Sequence, residues 1–252
     1  MKLYTDAGGS GADLLVLLHG LGATGGVWTP LLGLLPSRWR GRWFLADLPG
    51  HGESARASRY FAEDAALALG EALKNRTQSG GRLVILGHSF GGTIALALAS
   101  GRYGVQPSVV FGVGIKLIWR DEEIARMRAF ASQPAKRFAN EADAWERYSR
   151  VSGLFGLTPP GSPVAARGIS REEGAWRLAM DAAANDPGRP AFTELRAAAR
   201  CPVHLARGGR DPLVTLEDTR ALDAGATDLL AYGHNVLVES PETVWSWVEM
   251  HL

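Results

Sequence analysis

Apolar positions in this chain gather into short unbroken runs, each followed by a glycine- or proline-rich loop and then by a stretch with helical spacing. "DLLVLL" (13–18) leads through "HGLGATGG" to "VWTPLLGLL", and "RWFLADL" (42–48) leads through "PGHGES" to "FAEDAALALGEALKN". "RLVIL" (82–86) leads through "LGHSFGG" to "TIALALAS", and "SVVFGVG" (108–114) follows. The rhythm returns at "PVHLARG" (202–208), passes "GRDPLV" and a short helical stretch near 215–223, and continues with "TDLLAYG" (227–233) and a closing "PETVWSWVEMHL". Unbroken runs read as strands covered on both faces, and strands alternating with helices predict a mostly parallel, doubly wound α/β sheet with right-handed crossovers. In such sheets ligands sit beyond the carboxyl ends of the strands. Every glycine-rich loop just quoted falls at such an end.

Residues 116–194 break the rhythm. "RDEEIARMRAFAS", "AKRFANEADAWERYS" and "SREEGAWRLAMDAAA" have helical spacing, no strand run separates them, and "GLFGLTPPGSP" interrupts them. The expectation is a core made of residues 1–115 and 195–252, with a helical cap over 116–194 inserted before the last two strands. Trp119, Trp145, Trp176, Met127 and Phe155 of that segment either face a ligand or join cap to core.

Composition narrows the partners. Apolar residues make up 46% of the chain and charged residues 21%, which suits a globular domain with a sizeable core. Lys and Arg number 27 against 26 Asp and Glu, a net charge of +1, so nucleic acid is not expected as a partner. Cys201 is the only cysteine, which excludes an intramolecular disulfide, and it reads as a small buried hydrophobe. The N-terminal "MKLYTDAGGSGADLL" has no signal-like apolar core and no apolar run is long enough to span a membrane, so cytoplasmic residence and no membrane association are expected. No metal-ligand spacing or dinucleotide fingerprint occurs, and no cofactor is expected. The partner expected is a small-molecule substrate, with the chain a monomer or homodimer.

The chemistry concentrates at "LGHSFGG" (86–92). A G-x-S-x-G pattern after a buried strand and before a helix is the setting of a nucleophile elbow, whose sharp turn lifts the serine out of the sheet. Ser89 is then the candidate nucleophile, with the helix N-terminus behind it favouring developing negative charge. A serine hydroxyl needs a base to take its proton and an acid to orient that base. In this architecture they follow in the order serine, acid, histidine. Asp211 in "GGRDPLV" and His234 in "YGHNVLVESPE" each stand just past a strand end. His204 lies inside a strand, His51 precedes the nucleophile and His251 is terminal; Asp218, Asp223 and Asp228 fall in or between later elements. The backbone N–H groups of Phe90 and Leu21 are the candidate oxyanion donors, and His19 reads as shaping the "HGLG" loop. Trp28, Lys116, Trp119, Trp145, Leu213 and Val236 are the candidate pocket residues. Lys116 follows the strand 108–114 directly, so it either reaches a substrate carboxylate or pairs with the cap.

The loops "LLHGLGAT", "ADLPGHGES", "LGHSFGG", "GGRDPL" and "GHNVLVESPE" occur in the order seen in α/β-hydrolases, and over 13–115 and 200–252 the chain resembles that family. The resemblance is to its broad branch of capped esterases and C–C hydrolases. Two departures mark this chain: the first hairpin is shortened, and a serine stands where dehalogenases and epoxide hydrolases carry an aspartate. The resemblance implies a serine hydrolase that cleaves a small or medium carboxylic ester through an acyl-enzyme. C–C, thioester, amide or lactone hydrolysis by the same triad stays open, as does a ligand receptor on this fold.

Overall fold

The computed structural model describes all 252 residues. The apolar runs form the strands β1 (Thr5–Gly9), β2 (Leu14–Leu18), β3 (Arg42–Ala46), β4 (Leu83–His88) and β5 (Val109–Val113). Helices α1 (Thr29–Leu32) and α2 (Leu35–Arg38) precede β3, α3 (Ala62–Leu73) precedes β4, and α4 (Phe90–Leu98) follows it. Segment 116–194 carries α5 (Asp121–Ala131), α6 (Glu141–Val151), β6 (Ile169–Glu172) and β7 (Ala175–Leu178). The chain closes with α7 (Phe192–Ala198), β8 (Val203–Gly208), α8 (Leu216–Leu222), β9 (Thr227–Leu229), α9 (Val236–Glu239) and α10 (Pro241–Glu249). No helix is long and apolar enough to cross a membrane.

Seven strands make one sheet in the order β1-β3-β2-β4-β5-β8-β9. Only β1 runs antiparallel, pairing Thr5–Gly9 against Arg42–Ala46; every other pair is parallel. A single strand before β2 is the shortened start expected from the sequence. The central strands β2, β4 and β5 are buried throughout, because α3, α4 and α7 cover one face while α1, α9 and α10 pack on the other. That two-sided cover is why the runs do not alternate. Helix α3 buries Ala62, Ala65, Ala66, Leu69 and Leu73, one stripe at helical spacing.

Segment 116–194 is less helical than its spacing predicts. "SREEGAWRLAMDAAA" forms the β6–β7 hairpin instead of a helix, with Glu172 paired to Ala175. The two residues between them, Glu173 (φ 48°) and Gly174 (φ 80°), both lie in the left-handed region, as the tight hairpin turn that matches strand twist requires. Glycine at the second position makes that turn accessible, and an apolar pattern over so few residues does not separate helix from strand. The boundary at 194/195 falls inside α7, whose Phe192 packs in the same apolar layer as α4.

Buried polar contacts hold this segment on the sheet's carboxyl edge. Arg167 Nε donates to Asp47 Oδ2 at 2.8 Å and its Nη2 to Oδ1 at 3.2 Å, with the aspartate side chain wholly buried. The same carboxylate accepts the Gly25 N–H at 2.8 Å, and the guanidinium lies 4.1 Å from the Tyr4 ring centroid. Tyr60 Oη donates to Asp181 Oδ2 at 2.5 Å, and Thr24 Oγ1 to the Ala166 carbonyl at 2.6 Å. Removing Arg167 strands a charge with no access to water, a loss of roughly 3 kcal/mol for a pair of this kind. Arg167→Met should therefore lower the unfolding free energy in urea by about that amount. Asp47→Asn combined with Arg167→Met should cost less than Arg167→Met alone, and equal costs would show that the buried charge is not the cause.

Candidate active site

The chain turns from β4 into α4 through one residue. Ser89 has φ 51° and ψ −119°, far from the regions an L-residue prefers. The turn is held by Ser89 N–H donating to the Val113 carbonyl (2.8 Å) and by the Ser89 carbonyl accepting from Gly92 (2.9 Å) and Thr93 (3.2 Å). Two glycines make room for it. A Cβ on Gly87 would lie 2.3 Å from the Gly91 carbonyl oxygen, and one on Gly91 would lie 2.3 Å from that of Leu18. The helix starts where the strand ends because nothing but hydrogen fits between them.

Beyond β8 and β9 the other two candidates meet. His234 Nδ1 donates to Asp211 Oδ2 at 2.7 Å, and Asp211 Oδ1 accepts the Leu213 N–H at 2.8 Å, so the carboxylate is fixed at both oxygens. Asp211 is only 5% exposed. This bond leaves the His234 Nε2 free to face the cleft as an acceptor. His88 Nε2 donates to the His234 backbone carbonyl at 2.8 Å and packs its ring 4.8 Å from the His234 ring. Asn235 Nδ2 donates to the carbonyls of Ser152 (3.3 Å) and Gly153 (3.0 Å), tying the same loop to the end of α6. Ser89 and His234 line one cavity of about 270 Å³ but share no hydrogen bond in this structure. Sites of this type commonly close that contact only around substrate.

The oxyanion candidates lie at the same place. Leu21 and Phe90 both line the cavity. The Leu21 N–H donates to no protein acceptor, and Phe90, first residue of α4, has no helical acceptor one turn behind it. Lys116, Trp119 and Leu213 also line this cavity. Lys116 Nζ contacts Glu123 Oε1 at 2.6 Å and lies 4.7 Å from the Trp119 ring centroid. Lys116 therefore pairs within segment 116–194, as one of its two sequence readings has it, and also lines the cleft. The ion pair and the Arg120 N–H hold the Glu123 carboxyl far below its usual range, at about 2.

Three pocket expectations fail. Trp28 is fully buried on a 3-10 turn (Gly25–Trp28) that drives it into the apolar layer beneath the sheet. Val236 is likewise fully buried, because α9 turns its first residue inward. Trp145 lies on α6 with its Nε1 donating to Glu141 at 3.1 Å, and it faces a separate cavity shared with Phe155. Trp176 is on the hairpin and Met127 on α5, and neither lines the cavity that holds Ser89. Sequence reasoning missed Arg150, Val151, Ser152 and Gly153, which close the cavity from the end of α6, and Pro187 and Pro190. The only signal was the helix-ending "RVSG". With Lys116 and Arg150 the cavity wall carries two cations and no carboxylate.

Two more histidines stiffen the loops around Leu21. His19 Nε2 accepts the Leu48 N–H (2.8 Å) while its Nδ1 donates to the Gly20 carbonyl (2.8 Å). His51 Nε2 accepts the Gly22 N–H (3.1 Å) while its Nδ1 donates to the Pro49 carbonyl (2.9 Å). Each ring is therefore the neutral Nδ1–H tautomer, structural rather than titrating. No group of three or more His, Cys, Asp or Glu side chains is placed to hold a metal ion.

The α/β hydrolase family model matches residues 15–247, and the chain belongs to that family. Among curated proteins, it is 37% identical over 98 residues to a pimeloyl-[acyl-carrier protein] methyl ester esterase of Nitrosomonas europaea, 39% of this chain and 35% of that one. It is 36% identical over 95 residues to lipase LipV of Mycobacterium tuberculosis, 38% of this chain and 34% of the other. The chain thus spans about a third of the length of these relatives. Among solved structures, E-2-(acetamidomethylene)succinate hydrolase superposes with TM-score 0.78 at 22% identity, covering 98% of this chain and 94% of that one. An esterase from Thermogutta terrifontis gives 0.70 at 21% identity over 98% and 92%. These two share the fold. The protein is a member of the α/β-hydrolase family.

Burial makes stability depend on pH here. Desolvation holds His19 and His88 at about 3, far below the ordinary 6.5, and lowers His51 as well. Unfolded, these rings take up protons below about 6.5 while the folded ones do not, so stability present above that pH is lost as the pH falls toward about 3. Each ring contributes a slope of about one kcal/mol per pH unit in that window. Depressed carboxylates such as Glu123 add their loss as the pH falls from about 4.5 toward about 2. Urea midpoints should decline from about pH 6.5 to about pH 5, before any carboxylate titrates. A flat profile there would contradict the assignment.

Proposed function

We propose that this protein is a serine hydrolase that cleaves small or medium carboxylic esters through an acyl-enzyme. The observation that carries the reading is the 2.7 Å bond from His234 Nδ1 to buried Asp211, on the rim of the cavity that holds Ser89 at its strained turn. In this reading His234 Nε2 takes the Ser89 proton as Oγ bonds to the ester carbonyl carbon. The oxyanion so formed is held by the N–H groups of Leu21 and Phe90. Collapse breaks the carbon–oxygen bond, and His234 gives the proton to the leaving alcohol. Water then attacks the acyl carbon with its proton drawn to His234, the bond from that carbon to Ser89 Oγ breaks, and His234 returns the proton to Oγ as the acid leaves. Asp211 holds the imidazole in the tautomer both halves need. Segment 116–194 acts as the cap that shapes the substrate slot.

The ester bond is favoured because the curated relatives are named as a methyl ester esterase and a lipase. A second reading, thioester hydrolysis by the same groups, draws on the likeness to a thioesterase domain of the curacin pathway, TM-score 0.76 at 20% identity. Treatment with a fluorophosphonate should place one adduct on Ser89, detected by mass spectrometry of its peptide. Ser89→Ala should lower ester turnover by about a thousandfold or more. An unmodified Ser89, or undiminished turnover in the variant, sinks the proposal.

Lys116 and Arg150 line the cavity while their partners Glu123 and Glu146 stay outside its lining, which favours esters whose anionic group shares or displaces those pairings. The ratio of kcat/KM for an anionic ester to that for its neutral isostere should fall about tenfold in Lys116→Met and survive in Lys116→Arg. A ratio that does not move with Lys116 removes the anion from the substrate description.

A further inference from the structure

A second cavity, about 260 Å³, opens on the surface of segment 116–194. Its wall includes Phe130, Leu178, Met180 and Ala182, with Lys136 and Arg147 also lining it and no carboxylate among its residues. Val151 is the one residue common to this cavity and the one that holds Ser89. It is the last residue of α6, where the helix stops and the chain turns through Ser152 and Gly153. Its position is tightly constrained: a Cβ on Gly22 would lie 2.6 Å from Val151 Cγ1, so only glycine at 22 lets the valine press against the loop that carries Leu21. Leu21 on the catalytic side and Leu178 on the outer side pack with Val151 on one small apolar cluster around Tyr60, Met180 and Ala184. Two spaces of similar size thus share Val151 in their linings.

We propose that Val151 is the partition that sets the length of substrate chain this enzyme accepts. Resting on the serine-esterase reading, it confines the chain to the inner cavity and selects short esters. Shortening the side chain joins the inner space to the outer one, whose apolar wall suits the far methylenes of a longer chain and whose Lys136 and Arg147 suit an anionic end. The wall is a specificity determinant and takes no part in the proton transfers.

Two probe series test it: para-nitrophenyl esters from acetate to decanoate, and alkyl fluorophosphonates of rising chain length scored by the rate of Ser89 labelling. The wild-type protein should favour short chains in both series and drop about tenfold or more by octanoate. Val151→Ala should raise octanoate relative to butanoate about tenfold. Adding Ala182→Phe to that variant refills the outer cavity from another element and should restore the short-chain profile. Val151→Ile thickens the wall and should move the cut-off toward shorter chains, so the result does not hang on the folding of one variant. A wild-type preference for long chains, or a Val151→Ala profile that matches the wild type, overturns the partition while the esterase reading stands. Failure of every fluorophosphonate to label Ser89 overturns both.

Discussion

The turn at Ser89 exists because three side chains are missing. Strand β4 ends, helix α4 begins, and the helix start lies close against the end of β2, where a Cβ on Gly87 or Gly91 would sit 2.3 Å from a backbone oxygen. Gly92 completes the set, since a Cβ there would lie 2.6 Å from Ile115 Cγ1. This crossing brings the loop after β2, the serine and the loop after β5 to one spot. The strained φ of Ser89 persists because the strands on either side, buried and parallel, leave the backbone no other course. Leu21, Phe90 and Lys116 reach one cavity as a consequence.

Around that crossing the polar groups divide into two kinds. His19, His51 and His88 are buried, neutral and bonded to backbone, and they set loop geometry. His234 alone is bonded through Nδ1 to a carboxylate, which leaves its other nitrogen available at the cleft. The Asp47–Arg167 pair belongs to the first kind. It is buried, it accepts backbone donors as well, and it joins segment 116–194 to the loop after β3.

The sheet was legible in the chain because unbroken apolar runs have one economical explanation, strands covered on both sides. Ser89, Asp211 and His234 were legible because each sits just past a strand end, and a strand end has a known direction. Trp28 and Val236 were not, because nearness to a motif does not say which way a short helical turn points its side chains. The hairpin at 169–178 was hidden in a pattern too short to distinguish the two periodicities. Arg150, Val151 and Asn235 act through contacts between distant stretches, and no local pattern announces those. His88 stood inside the quoted motif, yet its bond to the His234 carbonyl crosses 146 positions of sequence.

Asn235 joins matters that otherwise look separate. It follows His234 directly, is 2% exposed, and its amide holds the carbonyls of the two residues that come after Val151. The wall of the cavity and the imidazole are therefore fastened to a single buried amide, like two arms on one pivot. A guest that forces the wall outward also pulls on the His234 ring across the cavity from Ser89. Volume and alignment share one mechanical linkage, and a misfit in the first is felt in the second.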